Sequence, residues 1–234
     1  MNKYDLITRY LYSHCVEKLW FKELRKVVAP NHSVLEIGSG SGRGLQNQDY
    51  PMCGKIVGVD LDPRVTVNPF LNEAFHMDVE SFFKINTQRF DVIYSHMVAE
   101  HIEDGESFVK MQVDRLNDNG VILHSTVSKF YVSSILNLWV PNTVKNFLIK
   151  HLGSGRDSED IFPAFYNLND SNAIRRIAEK HNLQFKVIRQ DEPPGYVRKS
   201  LTLMIFYWIV STPLKMLLPA LKPTFIFVLR KNNG

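Results

Sequence analysis

Between Val34 and Gly42 the chain reads VLEIGSGSG: an apolar run with a glutamate inside it, then glycines at 38, 40 and 42. A short apolar run closed by turn residues reads as a strand. Glycines directly after it free the backbone for left-handed conformations and let a ligand approach without a Cβ in the way. Few folds place a loop of that kind at the end of a strand, and two familiar ones are excluded by the spacing. A phosphate-binding P-loop carries Gly-Lys after its glycine spacer, and no such pair follows here; a dinucleotide loop needs a third glycine where Arg43 stands. What remains is E-x-G-x-G-x-G. A carboxylate so near the loop repels a pyrophosphate and suits a cationic, amino-acid-bearing ligand.

The rest of the chain repeats the strand signal with helical patterns between. Strands are expected at 33–37, 55–60, 74–77, 90–94 and 121–125, then at 184–190 and 224–231. Helical periodicity is expected over 4–28, over 106–116 up to the turn Asn117-Asp118-Asn119-Gly120, and from a cap at Asp170 or Ser171 to about Asn182. Strands separated by helices or crossover loops imply a parallel sheet with helices on both faces. The 234 residues, 44% of them hydrophobic and 22% charged, suffice for one large domain with a sizeable core. A net charge of +4 is spread along the chain and identifies no polyanion partner. The opening MNKYDLITRY has no apolar core region, so it does not read as a signal peptide, and Cys15 and Cys53 fit no metal spacing. A reduced, cytoplasmic protein is the expectation.

Residues 200–221, LTLMIFYWIVSTPLKMLLPAL with the preceding serine, are the most apolar part of the chain. Their hydropathy approaches that of a membrane span, which needs about 20 apolar residues. The topology speaks against a span, because the flanking strands have to meet in one sheet. A helical excursion broken near Pro213 is expected instead. It either packs over the sheet edge or lies at a membrane interface, which would place the protein peripherally at the inner face of the membrane.

The glycine loop and the segments after it resemble the class I S-adenosylmethionine-dependent methyltransferases, in the small-molecule branch called type 11-like. IVGVDLDP puts Asp60 at the tip of strand two, where the family's acid bonds both ribose hydroxyls; HMDVE puts Asp78 where the family's acid meets the adenine amino group. DVIYSHMVAEHIED and RLNDNGVILHST match strand four with its loop and strand five. The resemblance covers 30–127 closely and continues more loosely to strand seven. It implies a Rossmann-like, doubly wound sheet of seven strands, mostly parallel, with an insert after strand five and the apolar excursion before strand seven. It implies one methyltransferase domain over 1–234: an N-terminal helix (1–29), a cofactor-binding core (30–127), a substrate-covering insert (128–168) and a C-terminal part (169–234). It implies S-adenosylmethionine as cofactor, held by Glu36, Gly38, Ser39, Gly40, Gly42, Asp60, Leu61, Asp78, Val79 and Ser95.

An activated methyl donor leaves the protein mainly the work of alignment. A base is needed where the acceptor is a weakly acidic hydroxyl, and His101, just past strand four, is the candidate; the alternative is a histidine that caps or packs at the next helix. His96, Glu100, His101 and Glu103 do not form a metal set, since histidines five apart do not share a helix face. In the insert, Tyr131, Trp139, Phe165 and Tyr166 either line an acceptor pocket or form a satellite core, and Gly153 and Gly155 would permit a lid.

The expected reaction is methyl transfer to a small-molecule or lipid- or glycan-linked acceptor, at a hydroxyl oxygen. YSHM stands where an amino-methylating enzyme of bases would carry N/D-P-P-Y/F, which disfavours that RNA chemistry and leaves ribose or carbon targets. No DNA partner is expected. A catalytically silent cofactor-binding scaffold is the alternative outside the enzymes, and the intact loop and Asp60 argue against it.

Overall fold

A computed structural model describes residues 16–42, 51–131, 134–135, 164–191, 193, 197 and 200–231. Seven strands form one sheet: β1 (Ser33–Ile37), β2 (Lys55–Asp60), β3 (Glu73–His76), β4 (Phe90–His96), β5 (Leu116–Val127), β6 (Leu183–Gln190) and β7 (Thr224–Lys231). Their order is β3-β2-β1-β4-β5-β7-β6. The first five run parallel and β7 is antiparallel to both β5 and β6. The doubly wound, mostly parallel sheet expected from the sequence is the sheet observed.

Alternation along each central strand sends side chains to two cores. Leu35, Ile37, Ile93, Ile122, Phe225 and Phe227 point to one face. There they meet Phe82 and Phe83 of α2 (Val79–Ile85), Phe108 and Val109 of α3 (Gly105–Asp114), and Ile174 and Ala178 of α4 (Ser171–Lys180). Val34, Val92, Tyr94, Val121, Leu123, Ile226 and Val228 point to the other, where Trp20 and Leu24 of α1 (Val16–Val27) cover them. Burial on both faces explains why these strands read as mostly apolar rather than as strict apolar–polar alternation.

Several expectations are corrected in detail. The helix expected at 106–116 ends at Asp114, and the turn at 117–120 lies within β5, as a bulge where Phe90 pairs Leu116 and Val92 pairs Val121. Asn119 there takes a left-handed φ of 64°, which Asn tolerates better than most residues. β3 starts one residue earlier than read, at Glu73, and β6 also one earlier, at Leu183. Of the N-terminal helix expected over 4–28, the described part is Val16–Val27. The helix α5 (Leu201–Leu217) is not broken near Pro213 but runs through it. Proline removes one internal bond there, to the Ile209 carbonyl, and the next turn holds, with Leu218 N–H donating to the Leu214 carbonyl at 2.8 Å.

Candidate cofactor and acceptor site

Strand order reverses between β1 and β4, and in open sheets of this kind ligands bind beyond the carboxyl ends of the strands at that point. The loop leaving β1 supplies one wall. Gly38, Gly40 and Gly42 have φ of 76°, 49° and 66°, the left-handed region that glycine enters without cost. Two of them are also packed against neighbours: a Cβ on Gly38 would fall 2.2 Å from Val98 Cγ2, and one on Gly42 would fall 2.6 Å from Asn68 Oδ1. Gly40 differs. Among the described residues a Cβ there would meet only Asp60 Oδ2, at 4.0 Å, so no described side chain fills the space between the middle of the loop and that carboxylate.

Asp60 closes β2 and is held by two backbone donors: Gly40 N–H to Oδ2 at 2.6 Å and Asp62 N–H to Oδ1 at 2.8 Å. Each oxygen keeps a further lone pair for a ligand hydroxyl. Glu36 sits between Gly58 and Tyr94 in the sheet, half-buried under the loop. Ser39 is buried; Gly58 leaves room for it, since a Cβ on that glycine would lie 2.6 Å from Ser39 Oγ. A brace the sequence reading missed is Asn68. Its Nδ2 donates to the carbonyls of Ser39 (3.0 Å) and Gly40 (3.3 Å), and its Oδ1 accepts from Phe70 N–H.

Leu61 is exposed beside Asp60, and its carbonyl accepts from His76 Nε2 at 3.0 Å. Asp78 caps α2, accepting from Ser81 N–H at 2.8 Å and from Ser81 Oγ–H at 2.7 Å. The Ser81 hydroxyl, more than any other group, holds the Asp78 carboxyl below the usual range. Val79 follows, half-buried against the core. Ser95 is placed differently from the loop residues: it is fully buried, its Oγ 2.6 Å from His124 Nδ1. Gln112 fixes the tautomer. Its Nε2 donates to the Phe108 carbonyl, so its Oε1 accepts from His124 Nε2–H at 2.8 Å, and Ser95 Oγ–H donates to Nδ1.

Beyond β4 the chain turns through Met97 (φ 57°) into the short 3-10 turn Ala99–His101. His101 ends that turn, half-buried, with its N–H donating to the Val98 carbonyl at 2.9 Å. The Glu100 carbonyl accepts from Phe165 N–H (2.8 Å) and Tyr166 N–H (3.3 Å), which ties the backbone of these two residues to the strand-four loop. Buried Glu100 also accepts from Thr126 Oγ1 at 2.9 Å, and Asn169 Nδ2 donates to the same Thr126 oxygen at 2.8 Å. This joins the ends of β4 and β5 to the segment entering α4, a contact the sequence did not announce. Tyr131 follows β5, its N–H bonded to the Ser128 carbonyl at 3.1 Å. Trp139, Gly153 and Gly155 lie outside the described residues. Among the described residues no group of three His, Cys, Asp or Glu side chains is placed to hold a metal ion.

A family model described as a methyltransferase domain matches residues 5–187. The chain belongs to that methyltransferase family. Its fold is that of the S-adenosylmethionine-dependent members. A methyltransferase of this kind from Archaeoglobus fulgidus superposes with a TM-score of 0.55 at 13% identity, over 98% of this chain and 100% of its own. The plantazolicin methyltransferase BpumL, in complex with a pentazolic desmethylPZN analogue and SAH, gives 0.54 at 17% identity, over 97% and 85%. Phosphoethanolamine N-methyltransferase 2 of Haemonchus contortus, in complex with S-adenosyl-L-methionine, gives 0.53 at 12%, over 97% of this chain and 56% of that one. No curated protein matches the sequence.

Proposed function

We propose that this methyltransferase binds S-adenosylmethionine across the Gly38–Gly42 loop and transfers its methyl group to a hydroxyl oxygen of a small-molecule or lipid- or glycan-linked acceptor. The observation that carries the reading is the space over Gly40 that no described side chain fills, facing an Asp60 carboxylate already fixed by two backbone donors. A preset acceptor pair of that kind suits a vicinal diol such as a ribose. Exposed Leu61 after β2, and Asp78 and half-buried Val79 after the neighbouring β3, are the residues this reading assigns to the adenine. Glu36, below the loop, faces the cationic end of an amino-acid moiety. When bound, S-adenosylmethionine supplies a methyl already activated on a sulfonium sulfur. The chain's own task is to hold donor and acceptor in line.

The acceptor side of this reading rests on His101. It closes the turn after β4, and the Phe165–Tyr166 backbone bonds to the residue before it. There it can take the hydroxyl proton as the oxygen attacks. Two variants separate the halves of the proposal. Asp60→Ala removes two charge-assisted bonds and should weaken cofactor binding by roughly 2–4 kcal/mol in calorimetric titration. His101→Ala should leave that affinity nearly intact and lower conversion to S-adenosylhomocysteine in a labelled screen of hydroxyl acceptors. Unchanged affinity in the first variant overturns the cofactor placement. Lost affinity or lost fold in the second makes His101 a packing residue.

A further inference from the structure

The helix α5 leaves the sheet after β6 and returns at β7, and Gln190 and Thr224, the residues at the two exits, are paired directly. The excursion therefore begins and ends at one point of the sheet. One side of the helix is anchored there. Met204 is fully buried, and Lys215, only 4% exposed, donates to Asp191 Oδ1 at 2.7 Å and to the Tyr207 hydroxyl at 2.8 Å. The other side is apolar and uncovered. Phe206 is 66% exposed, Ile209 58% and Leu217 80%, and a groove of about 270 Å³ runs along Val197, Leu203, Phe206, Tyr207, Val210 and Leu214.

Geometry and charge together point to what covers this face. Positions 203, 206, 210, 214 and 217 make one stripe, and 205, 209 and 216 make a second beside it, all exposed. A helix packed on a globular core shows an apolar stripe of about 100° or more; this arc is nearer half the circumference, a breadth that a bilayer surface covers. Between Ser200 and Gly234 there is no acidic side chain, and Arg198, Lys199 and Lys222 bracket the helix with positive charge. Cations flanking an apolar helix in sequence match anionic headgroups above acyl chains. Trp208 and Tyr207 are the side chains that favour that boundary. At 17 residues the helix is about 25 Å long, short of a bilayer core of about 30 Å. Among the described residues no helix is long and apolar enough to cross a membrane.

We propose that α5 docks the protein on an anionic lipid bilayer, lying in the plane of the interface with Phe206, Ile209 and Leu217 among the acyl chains and the sheet outside. The inference stands on the helix and does not rest on the methyl-transfer reading.

Flotation of the full chain tests it. The protein should rise with vesicles of phosphatidylcholine and phosphatidylglycerol and rise far less with phosphatidylcholine alone. The variant Phe206→Ser/Ile209→Ser/Leu217→Ser should stay at the bottom with an unchanged melting temperature, since the three side chains are exposed. Lipids brominated on the acyl chain should quench the wild-type tryptophan fluorescence, and Trp208→Phe should remove most of that quenching. The quenching needs no folded triple variant, so an unfolded one leaves the proposal open to refutation. Failure of the wild type to float, flotation of a folded triple variant, or no quenching overturns it. So does a dimer in free solution that the triple variant splits, which would make this face a contact between copies.

Discussion

Asp60 and Asn68 hold the glycine loop from opposite sides, one through an amide N–H and the other through two carbonyls. Neither the three left-handed glycines nor the gap over Gly40 would persist without them, because a glycine-rich loop has the most conformational freedom to lose. Asn68 is buried, so removing its amide strands the Ser39 and Gly40 carbonyls where water replaces the bonds poorly. Asn68→Ala should lower stability by about 1–3 kcal/mol. It should also weaken S-adenosylmethionine several-fold in calorimetry, with Asp60 still in place. A variant with wild-type melting temperature and affinity would show that the loop holds itself. Sequence reading finds Asp60 because it ends a strand. It passes over Asn68 because Asn68-Pro69 reads as an ordinary turn, and nothing local ties it to a loop some thirty residues back. The Ser95–His124–Gln112 chain was hidden in the same way. His124 interrupts an apolar strand, and only the fold brings Gln112 and Ser95 to its two nitrogens.

Among the elements, strands were legible wherever both faces are buried. β1, β2, β4 and β7 carry short, mostly apolar runs closed by glycine or polar residues, and the sheet contains all four. Boundaries failed where a turn signal and a ladder compete. Asn117-Asp118-Asn119-Gly120 has turn composition, yet β4 supplies a pairing edge, so the chain bulges and stays in the sheet, with Asn117 Nδ2 donating to Asp91 Oδ1 at 2.8 Å. Pro213 misled in the opposite direction. A proline signals a helix end when nothing else fixes the segment, but Lys215, two residues on, is bound to Asp191 and Tyr207 and carries the helix past it. The proposed acceptor side was least legible because its contacts are long-range backbone bonds, such as Phe165 N–H to the Glu100 carbonyl, which leave no mark on residue type.

For the whole molecule, the buried His124 makes stability depend on pH in a definite direction. Burial among Phe108, Phe227 and the sheet pushes its imidazole down to about 3, from an ordinary value of 6.5. Its neutral form is also the one the hydrogen bonds require, since Nδ1 must accept from Ser95. Between those two values the unfolded chain binds a proton that the folded one refuses, so stability falls as pH falls through the window. From pH 6.5 to 5 the loss is about 2 kcal/mol by linkage. His96 shifts in the same direction through burial, but it lies against Trp20 with an exposed edge, so solvent screens its share. The carboxyls of Asp62, Asp78 and Asp170, held low by their partners, lose their contribution only as pH falls below the ordinary carboxylate range, and so leave this interval to the histidines. Urea unfolding followed by tryptophan fluorescence at pH 8, 6.5 and 5 measures the effect. His124→Phe should be less stable at pH 8, by about 1–3 kcal/mol, because Ser95 and Gln112 lose their partner. Its stability should then change much less than that of the wild type between pH 6.5 and 5. Equal slopes for the two proteins would mean that the acid sensitivity arises elsewhere and that His124 is protonated in the folded state at no cost.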